Sequence, residues 1–584
     1  MLMTEEQHPP TTTDDLDRVV SELAEQKTTW MQSTLDERIQ LLESLRVNTA
    51  RLAEGWVDLA IKAKQLPEDS PLVGEEWTSG PWALLEGIQH LKGTLETLKA
   101  GGDPMQGATL RARADGQVIA RVHPANRWEQ LLINGVEAEV WMDPSVHLAN
   151  VRDHMAAHYK TRPQDRGAGK VALVLGAGNI ASIPPLDMLY KLFIEGQVVI
   201  VKMNPVNDYL GPIFEQIFQP FIAKGYVRFA YGGVPVGQHL TDHALVDEIH
   251  VTGSERTYDA IVFGVGEAGA TRKANDDPRN PRRVTAELGG VSPVIVVPGP
   301  WSAEDLTFQA ENVATQKMHN GGFNCIASQV LVLPASWSQR SAFLTALEAA
   351  FAAAPSRAPY YPGAADRIHA LRERHPEARS LDTGKEAADA DRVFVPDVDA
   401  AADDYVFHTE VFAGALAQTT LPGADAATFL RNAVTFANET LHGTLGMTIL
   451  IHPKTIAALG PLFEDLIAAL RYGTIGINAW SGVGFLLPRV TWGAFPGHPR
   501  HDIQSGAGVV HNALMFDKPQ KSVIRAPFRP FPRSVLNGEW TILPKPPWFV
   551  TNKQSAEVGR LLTMFAAEPS VTKLPAIFAA ALQG

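Results

Sequence analysis

One cysteine stands in the 584 residues, Cys325, inside Asn320-Gly-Gly-Phe-Asn-Cys-Ile-Ala-Ser-Gln. A lone thiol in a glycine-bracketed turn suits a nucleophile. It also suits a small buried hydrophobe, because free cysteine is among the most buried residue types. Upstream, Val284-Thr-Ala-Glu-Leu-Gly-Gly puts Glu287 38 residues before the thiol. A thiol and a carboxylate together fit acyl chemistry, in which one attacks a carbonyl and the other activates water.

Elements that can position such a pair are readable around it. Val171–Leu175, Val198–Lys202, Val227–Tyr231 and Glu248–Thr252 are apolar runs of strand length, and Tyr209–Lys224 between them has helical periodicity. Strands alternating with helices imply a parallel sheet covered on both faces, and such sheets bind ligands at the carboxyl ends of their strands. Three motifs sit at those ends. Gly176-Ala-Gly-Asn-Ile-Ala has the G-x-G-x-x-A spacing of a dinucleotide loop and also suits a tight structural turn. The next strand ends in Lys202, not in the acidic residue that usually holds ribose hydroxyls. Gly253-Ser254 opens a helical pattern, so it offers either an anion site or a plain N-cap.

Residues 1–15 read as a disordered N-terminus and 16–100 as helical, with a helix start at Ser33-Thr34-Leu35-Asp36-Glu37 and an apolar face of Leu35, Ile39, Leu42 and Leu45. Residues 108–150 carry short strands at Val118–Val122 and Val140–Met142. A charged stretch at 264–283 reads as a surface insertion. A second alternating region covers about 286–480, with strands near Pro293–Val297 and Gln329–Leu333; within it, 345–403 is alanine- and charge-rich and gives no signal. The tail after about 520 is proline-rich, then helical. His498-Pro-Arg-His501 lacks a nearby carboxylate or thiolate cluster and reads as surface loop, so no metal is expected. One cysteine excludes an intramolecular disulfide and a multi-thiolate zinc site. The net charge of −13 argues against nonspecific nucleic-acid binding. The polar N-terminus and the lack of a long apolar run give the expectation of a soluble cytoplasmic protein without a membrane span.

Taken in order, these pieces resemble the aldehyde dehydrogenase superfamily over about residues 20–520. Asn179 stands where the family has its oxyanion-binding asparagine, and Val199-Ile-Val-Lys202 resembles the strand ending in the cofactor lysine. Gly232-Gly233 through Val251-Thr-Gly-Ser254 resembles the run to the cofactor turn, Glu287-Leu288-Gly-Gly the glutamate motif, and Gly321-Gly-Phe-Asn-Cys325 the nucleophile loop. Glu410-Val-Phe412 resembles the segment that holds the nicotinamide ribose, and Gly493-Ala-Phe with Ser505-Gly506 the loop closing the substrate entrance. The resemblance implies an α/β fold with two parallel-sheet αβα domains plus a small β oligomerisation arm. It places a cofactor-binding domain at 16–285, interrupted by the arm at 108–150, a catalytic domain at 286–480, and a C-terminal segment with an extension at 481–584. Implied catalytic residues are Cys325, Glu287 and Asn179; implied cofactor-binding residues are Lys202, Gly253, Ser254, Leu288, Glu410 and Phe412. Trp480, Phe485 and Phe323 would line an apolar substrate pocket or serve as core packing.

The implied activity is NAD- or NADP-dependent oxidation of a small-molecule aldehyde to a carboxylic acid. Cys325 would attack as a thiolate, its pKa lowered by local dipoles and by the nicotinamide charge, and Glu287 would activate the water that hydrolyses the thioester. Pro205 replaces the glutamate of many NAD-preferring members, which leaves the cofactor choice open. Two other readings stand beside this one: an acyl-CoA reductase on the same fold, and a non-catalytic relative. A homodimer or homotetramer is expected, since an edge strand needs a cover.

Overall fold

The computed structural model describes residues 8–382 and 392–584. Thr12 caps helix Thr13–Met31 by accepting from the Asp15 N–H, with Asp14 and Asp15 in the first turn. Residues 13–15, expected in a disordered tail, are therefore helical, because a threonine cap and acidic first turn complement the helix N-terminus. Residues 1–7 of that expected tail lie outside the described residues. Thr34 caps Leu35–Ala63 as the sequence suggests. Its Leu42 and Leu45 are fully buried, while Leu35 and Ile39 pack at the core margin. Ala83–Lys99 completes this helical layer.

Strands β1 (Thr109–Ala112), β2 (Val118–His123) and β3 (Glu137–Met142) come next. Then β4 (Val171–Leu175), β5 (Val198–Lys202), β6 (Val227–Ala230), β7 (Glu248–Gly253) and β8 (Arg283–Leu288) alternate with helices. β4 to β8 form one parallel sheet in the order β8-β7-β4-β5-β6. Val171–Val174 and Val198–Val201 are fully buried, as expected of strands covered on both faces. The helix read over 209–224 is broken into Gly211–Ile217 and Gln219–Ala223, since Pro220 interrupts the hydrogen-bond ladder. The charged stretch at 264–283 is not all loop: Gly266–Ala274 is a helix.

The second half contributes β9 (Ser292–Val296), β10 (Ser328–Pro334), β11 (Arg379–Ser380), β12 (Arg392–Val398), β13 (Gly414–Leu421), β14 (Gly446–Leu450) and β15 (Thr474–Ile477). The short strands β16 (Thr491–Trp492), β17 (Gly506–Ala507) and β18 (Val510–His511) follow, and β19 (Pro519–Arg525) is the last. The second sheet runs β1-β2-β3-β19-β15-β14-β9-β10-β13-β12-β11, and β17 lies antiparallel on β8 of the first sheet.

β19 was not legible. Pro519-Gln-Lys-Ser-Val-Ile-Arg carries only two consecutive apolar residues, and its neighbours recruit it. It pairs parallel with β15 (Ile475 opposite Val523) and antiparallel with β3 (Glu139 opposite Val523). The strands of 108–150 therefore extend a sheet of their own chain, and the edge of β15 is covered from within. Beyond it, helices Ser555–Ala567 and Leu574–Ala581 return to the helical layer, where the Ser555 hydroxyl donates to the Pro71 carbonyl at 2.6 Å. Among the described residues, no helix is long and apolar enough to cross a membrane.

Candidate active site

The site forms where the two sheets meet. Lys202, Leu175, Val251 and Ala286 share one rung across β5, β4, β7 and β8. Glu287 lies one residue beyond that rung and Gly253 two. Lys202 and Glu287 are thus three strands apart at the same carboxyl edge, about 14 Å. On the other side, a capping box formed by Ser302 and Asp305 starts helix Ala303–Met318. A tight turn over His319–Gly322 follows, with Asn320 at φ 54°, and Cys325 comes before β10 begins.

The Cys325 thiol donates to Glu287 Oε1 at 3.0 Å. Cys325 is partly exposed, whereas Glu287 is 3% exposed. Burial pushes the Glu287 carboxyl up to about 7, and its Oε2 has no hydrogen-bond partner among the described residues. The thiol, expected to be lowered, is instead pushed well up, first by desolvation and then by the charges of Glu287 and Glu410. A carboxylate beside a thiol opposes a second negative charge, so the proton rests on sulfur.

Asn179 lies in the same cluster: its amide donates to the Phe323 carbonyl at 2.9 Å, two residues before Cys325. Its own carbonyl accepts from Asn320 Nδ2 at 3.0 Å and from the Tyr360 hydroxyl at 2.9 Å. Glu410 packs on Gly289, where a Cβ would come within 1.9 Å of Glu410 Oε2. Its Oε1 is buried without a partner among the described residues, and burial raises its pKa to about 8. Phe412 sits at φ 46°, with its carbonyl held by Arg367 at 3.0 Å and its ring 5.0 Å from Tyr361. Leu288 ends β8, its N–H donating to the Ser505 carbonyl at 2.8 Å. Ser254 caps helix Glu255–Val262 through the Thr257 N–H. Gly178 is a tight turn: a Cβ would lie 2.7 Å from Asn204 Oδ1, so this loop is closed against 204–206.

Of the three aromatics, Trp480 donates to the Ile326 carbonyl at 3.2 Å and packs behind the loop that carries Cys325. Phe485 meets Trp492 edge to face and His511 at a tilt, and Phe323 joins Tyr360, Tyr361 and Phe412.

Sequence reasoning missed a buried polar layer beneath the loop. Lys64 Nζ pairs with Glu76 at 2.8 Å and reaches Asn320 Oδ1 at 3.3 Å. Glu75 Oε2 accepts from the Asn320 N–H at 3.0 Å and from Arg357 Nη1 at 2.7 Å. Nothing in the spacing of these charges distinguishes them from solvated surface residues. Lys317, fully buried without a hydrogen-bond partner among the described residues, is held down to about 7 by desolvation, with Glu410 opposing the shift. Among the described residues, Asp17, His239 and His243 lie close enough to share an ion. However, His243 Nδ1 accepts from the Leu245 N–H at 3.2 Å, which leaves Nε2 as the N–H and favours a bond to Asp17.

The aldehyde dehydrogenase family model matches residues 171–439, the stretch that carries Asn179, Lys202, Glu287, Cys325 and Glu410. The fold is also that of solved aldehyde dehydrogenases. Gamma-glutamyl-gamma-aminobutyraldehyde dehydrogenase from Burkholderia cenocepacia superposes with a TM-score of 0.58 at 18% identity, over 88% of each chain. Aldehyde dehydrogenase C from Pseudomonas syringae, solved with NAD+ and octanal, gives 0.58 at 16% over 89% of this chain and 90% of that one. Lactaldehyde dehydrogenase from Escherichia coli gives 0.56 at 15% over 88% and 92%. No curated protein matches the chain in sequence. Residues 171–439 thus resemble the aldehyde dehydrogenase family, and the fold is the one that solved aldehyde dehydrogenases share.

Proposed function

We propose that the protein oxidises an aldehyde to a carboxylic acid with NAD or NADP, through a covalent intermediate on Cys325. The observation that carries this reading is the 3.0 Å contact between the Cys325 thiol and Glu287, formed across two sheets by residues distant in sequence. The Cys325 sulfur, its proton released to solvent, attacks the carbonyl and forms a hemithioacetal, while Glu287 stands 3.0 Å away as the base for the later hydrolysis. The Cys325 N–H and the Asn179 amide, turned from Phe323, stabilise the oxyanion; one such donor is worth about 3–4 kcal/mol. Once the thioester has formed, Glu287 deprotonates a water that hydrolyses it, and the free thiol returns.

The residues fit a nicotinamide dinucleotide. The unpartnered Glu410 Oε1 suits ribose hydroxyls, and Lys202, Gly253 and Ser254 line the carboxyl edge where such ligands bind. When bound, the cofactor accepts the hydride that leaves the hemithioacetal carbon. Lys202 and Glu410 would hold its two riboses, with Leu288 and Phe412 packing beside the second. Self-association into a homodimer or homotetramer belongs to the same reading. Its support is β1, a four-residue exposed edge that a second copy can pair with, and light scattering after gel filtration tests it.

The test is an aldehyde panel with NAD and NADP, with and without coenzyme A, read by absorbance of the reduced cofactor. Aldehyde-dependent signal that Cys325→Ala abolishes is expected. Strict dependence on coenzyme A, or full activity of Cys325→Ala, would overturn the reading.

A further inference from the structure

Three successive residues ahead of Cys325 take left-handed backbone: Asn320 at φ 54°, Gly321 at 68° and Gly322 at 84°. Residues in this region normally occur singly, and a run of them persists only where neighbouring structure holds it. The hold comes from the helical layer. Glu75 Oε2 accepts from the Asn320 N–H at 3.0 Å and from Arg357 Nη1 at 2.7 Å. Fixed there, the Asn320 side-chain amide donates to the Asn179 carbonyl at 3.0 Å and to the Phe323 carbonyl at 3.1 Å. The Asn179 side chain donates to the same Phe323 carbonyl at 2.9 Å. One carboxylate oxygen therefore anchors a turn that is tied to Asn179 on one side and leads into Cys325 on the other.

Glu75 sits on a short helix, Val73–Trp77, that is itself seated. Gly74 lies against the C-terminal helix Ser555–Ala567, where a Cβ would come within 2.4 Å of the Ser555 backbone, and Gly559 of that helix lies against Trp77. The Glu75 and Arg357 side chains are 8% and 4% exposed, so water competes little for their hydrogen bonds. We propose that Glu75 is a positioning residue for Cys325: by holding the Asn320 N–H it fixes the turn that keeps the sulfur against Glu287. Helix Ser555–Ala567 backs it, which gives the C-terminal segment a part in the site. Its effect on turnover rests on the proposed function; the placement of the sulfur does not.

The test is the pH profile of Cys325 alkylation by iodoacetamide in the folded full chain, which needs no turnover. The neighbouring charges that raise the thiol are those of Glu287 and Glu410, so a displaced profile reports where the sulfur sits. Glu75→Ala alone would strand a buried guanidinium; Glu75→Ala with Arg357→Met removes the brace and leaves no such charge. In that double variant the sulfur should part from Glu287 and ionise at lower pH. Alkylation near neutral pH should quicken about tenfold, the effect of one unit in thiol pKa. Glu75→Gln still offers one oxygen to both donors, and its amide nitrogen takes the place of Oε1, which has no partner among the described residues. It should keep the parent profile. Gly74→Ala pushes the helix off its seat with the brace side chains intact; it should displace the profile in the same direction, and it decides the matter if the double variant does not fold. With aldehyde and cofactor, the double variant should lose about tenfold or more in kcat while the KM for cofactor stays. A parent-like profile in both the double variant and Gly74→Ala, or a glutamine variant displaced as far as the double variant, overturns the proposal. A parent without turnover would overturn the catalytic reading and leave the alkylation result standing.

Discussion

Replacing Glu287 by glutamine separates what its charge costs from what it does. The carboxyl is raised from 4.5 to about 7 because it is buried, so the folded chain holds a proton there that the unfolded chain has released. Between those values the native state binds more protons than the denatured state, and stability falls as pH rises. Glutamine mimics the protonated form at every pH. At about pH 5 the variant should gain about 1 kcal/mol, and at about pH 8.5 about 3 kcal/mol, from 1.36 kcal/mol per pK unit. Thermal unfolding of both proteins across that range reads the difference. Alkylation by iodoacetamide reads the sulfur: without the neighbouring carboxylate, the Cys325 thiol should ionise at lower pH. In rapid mixing with aldehyde and cofactor, a first burst of reduced cofactor should survive while steady turnover falls, since only hydrolysis of the thioester lacks its base. A pH-independent stability difference would refute the burial argument, and normal turnover would refute the assigned role.

Gly289→Ala should drive the Glu410 carboxylate off its seat, given the 1.9 Å approach. It should weaken cofactor binding in fluorescence titration and lower stability by about 1–3 kcal/mol. Tyr360→Phe removes the 2.9 Å bond to the Asn179 carbonyl and should cost about 1 kcal/mol in thermal unfolding. Lys317→Met should stabilise the protein. Its amine is lowered from 10.5 to about 7, so the unfolded state holds the extra proton between those values. Stability is lost as pH falls through them, and the gain on removing the amine should be full below about pH 7 and shrink towards about pH 10.

Much of the first sheet was legible because its strands are buried on both faces and read as unbroken apolar runs. Val171–Leu175 and Val198–Lys202 match to the residue. The helix start at Thr34 followed from its cap. β19 was hidden because its residues, Lys521 and Ser522 among them, have no strand signature of their own, and pairing on both sides made the assignment. Helix Gly266–Ala274 was hidden by its polar, charged composition, which looks the same in a loop.

At the site, the sequence supplied the residue types that the proposed chemistry uses: one thiol, one carboxylate 38 residues before it, and, through the family resemblance, an asparagine after a glycine turn. Local chemistry is enough for that, because motifs are short and their glycines mark where backbone must turn. What only the tertiary structure decided is electrostatic. Whether Glu287 is ionised, whether the thiol keeps its proton, and whether Lys64, Glu75, Glu76 and Arg357 are solvated or buried all depend on which distant residues exclude water from them. A charge carries no mark in the chain of the medium it will occupy, and the medium sets its energy.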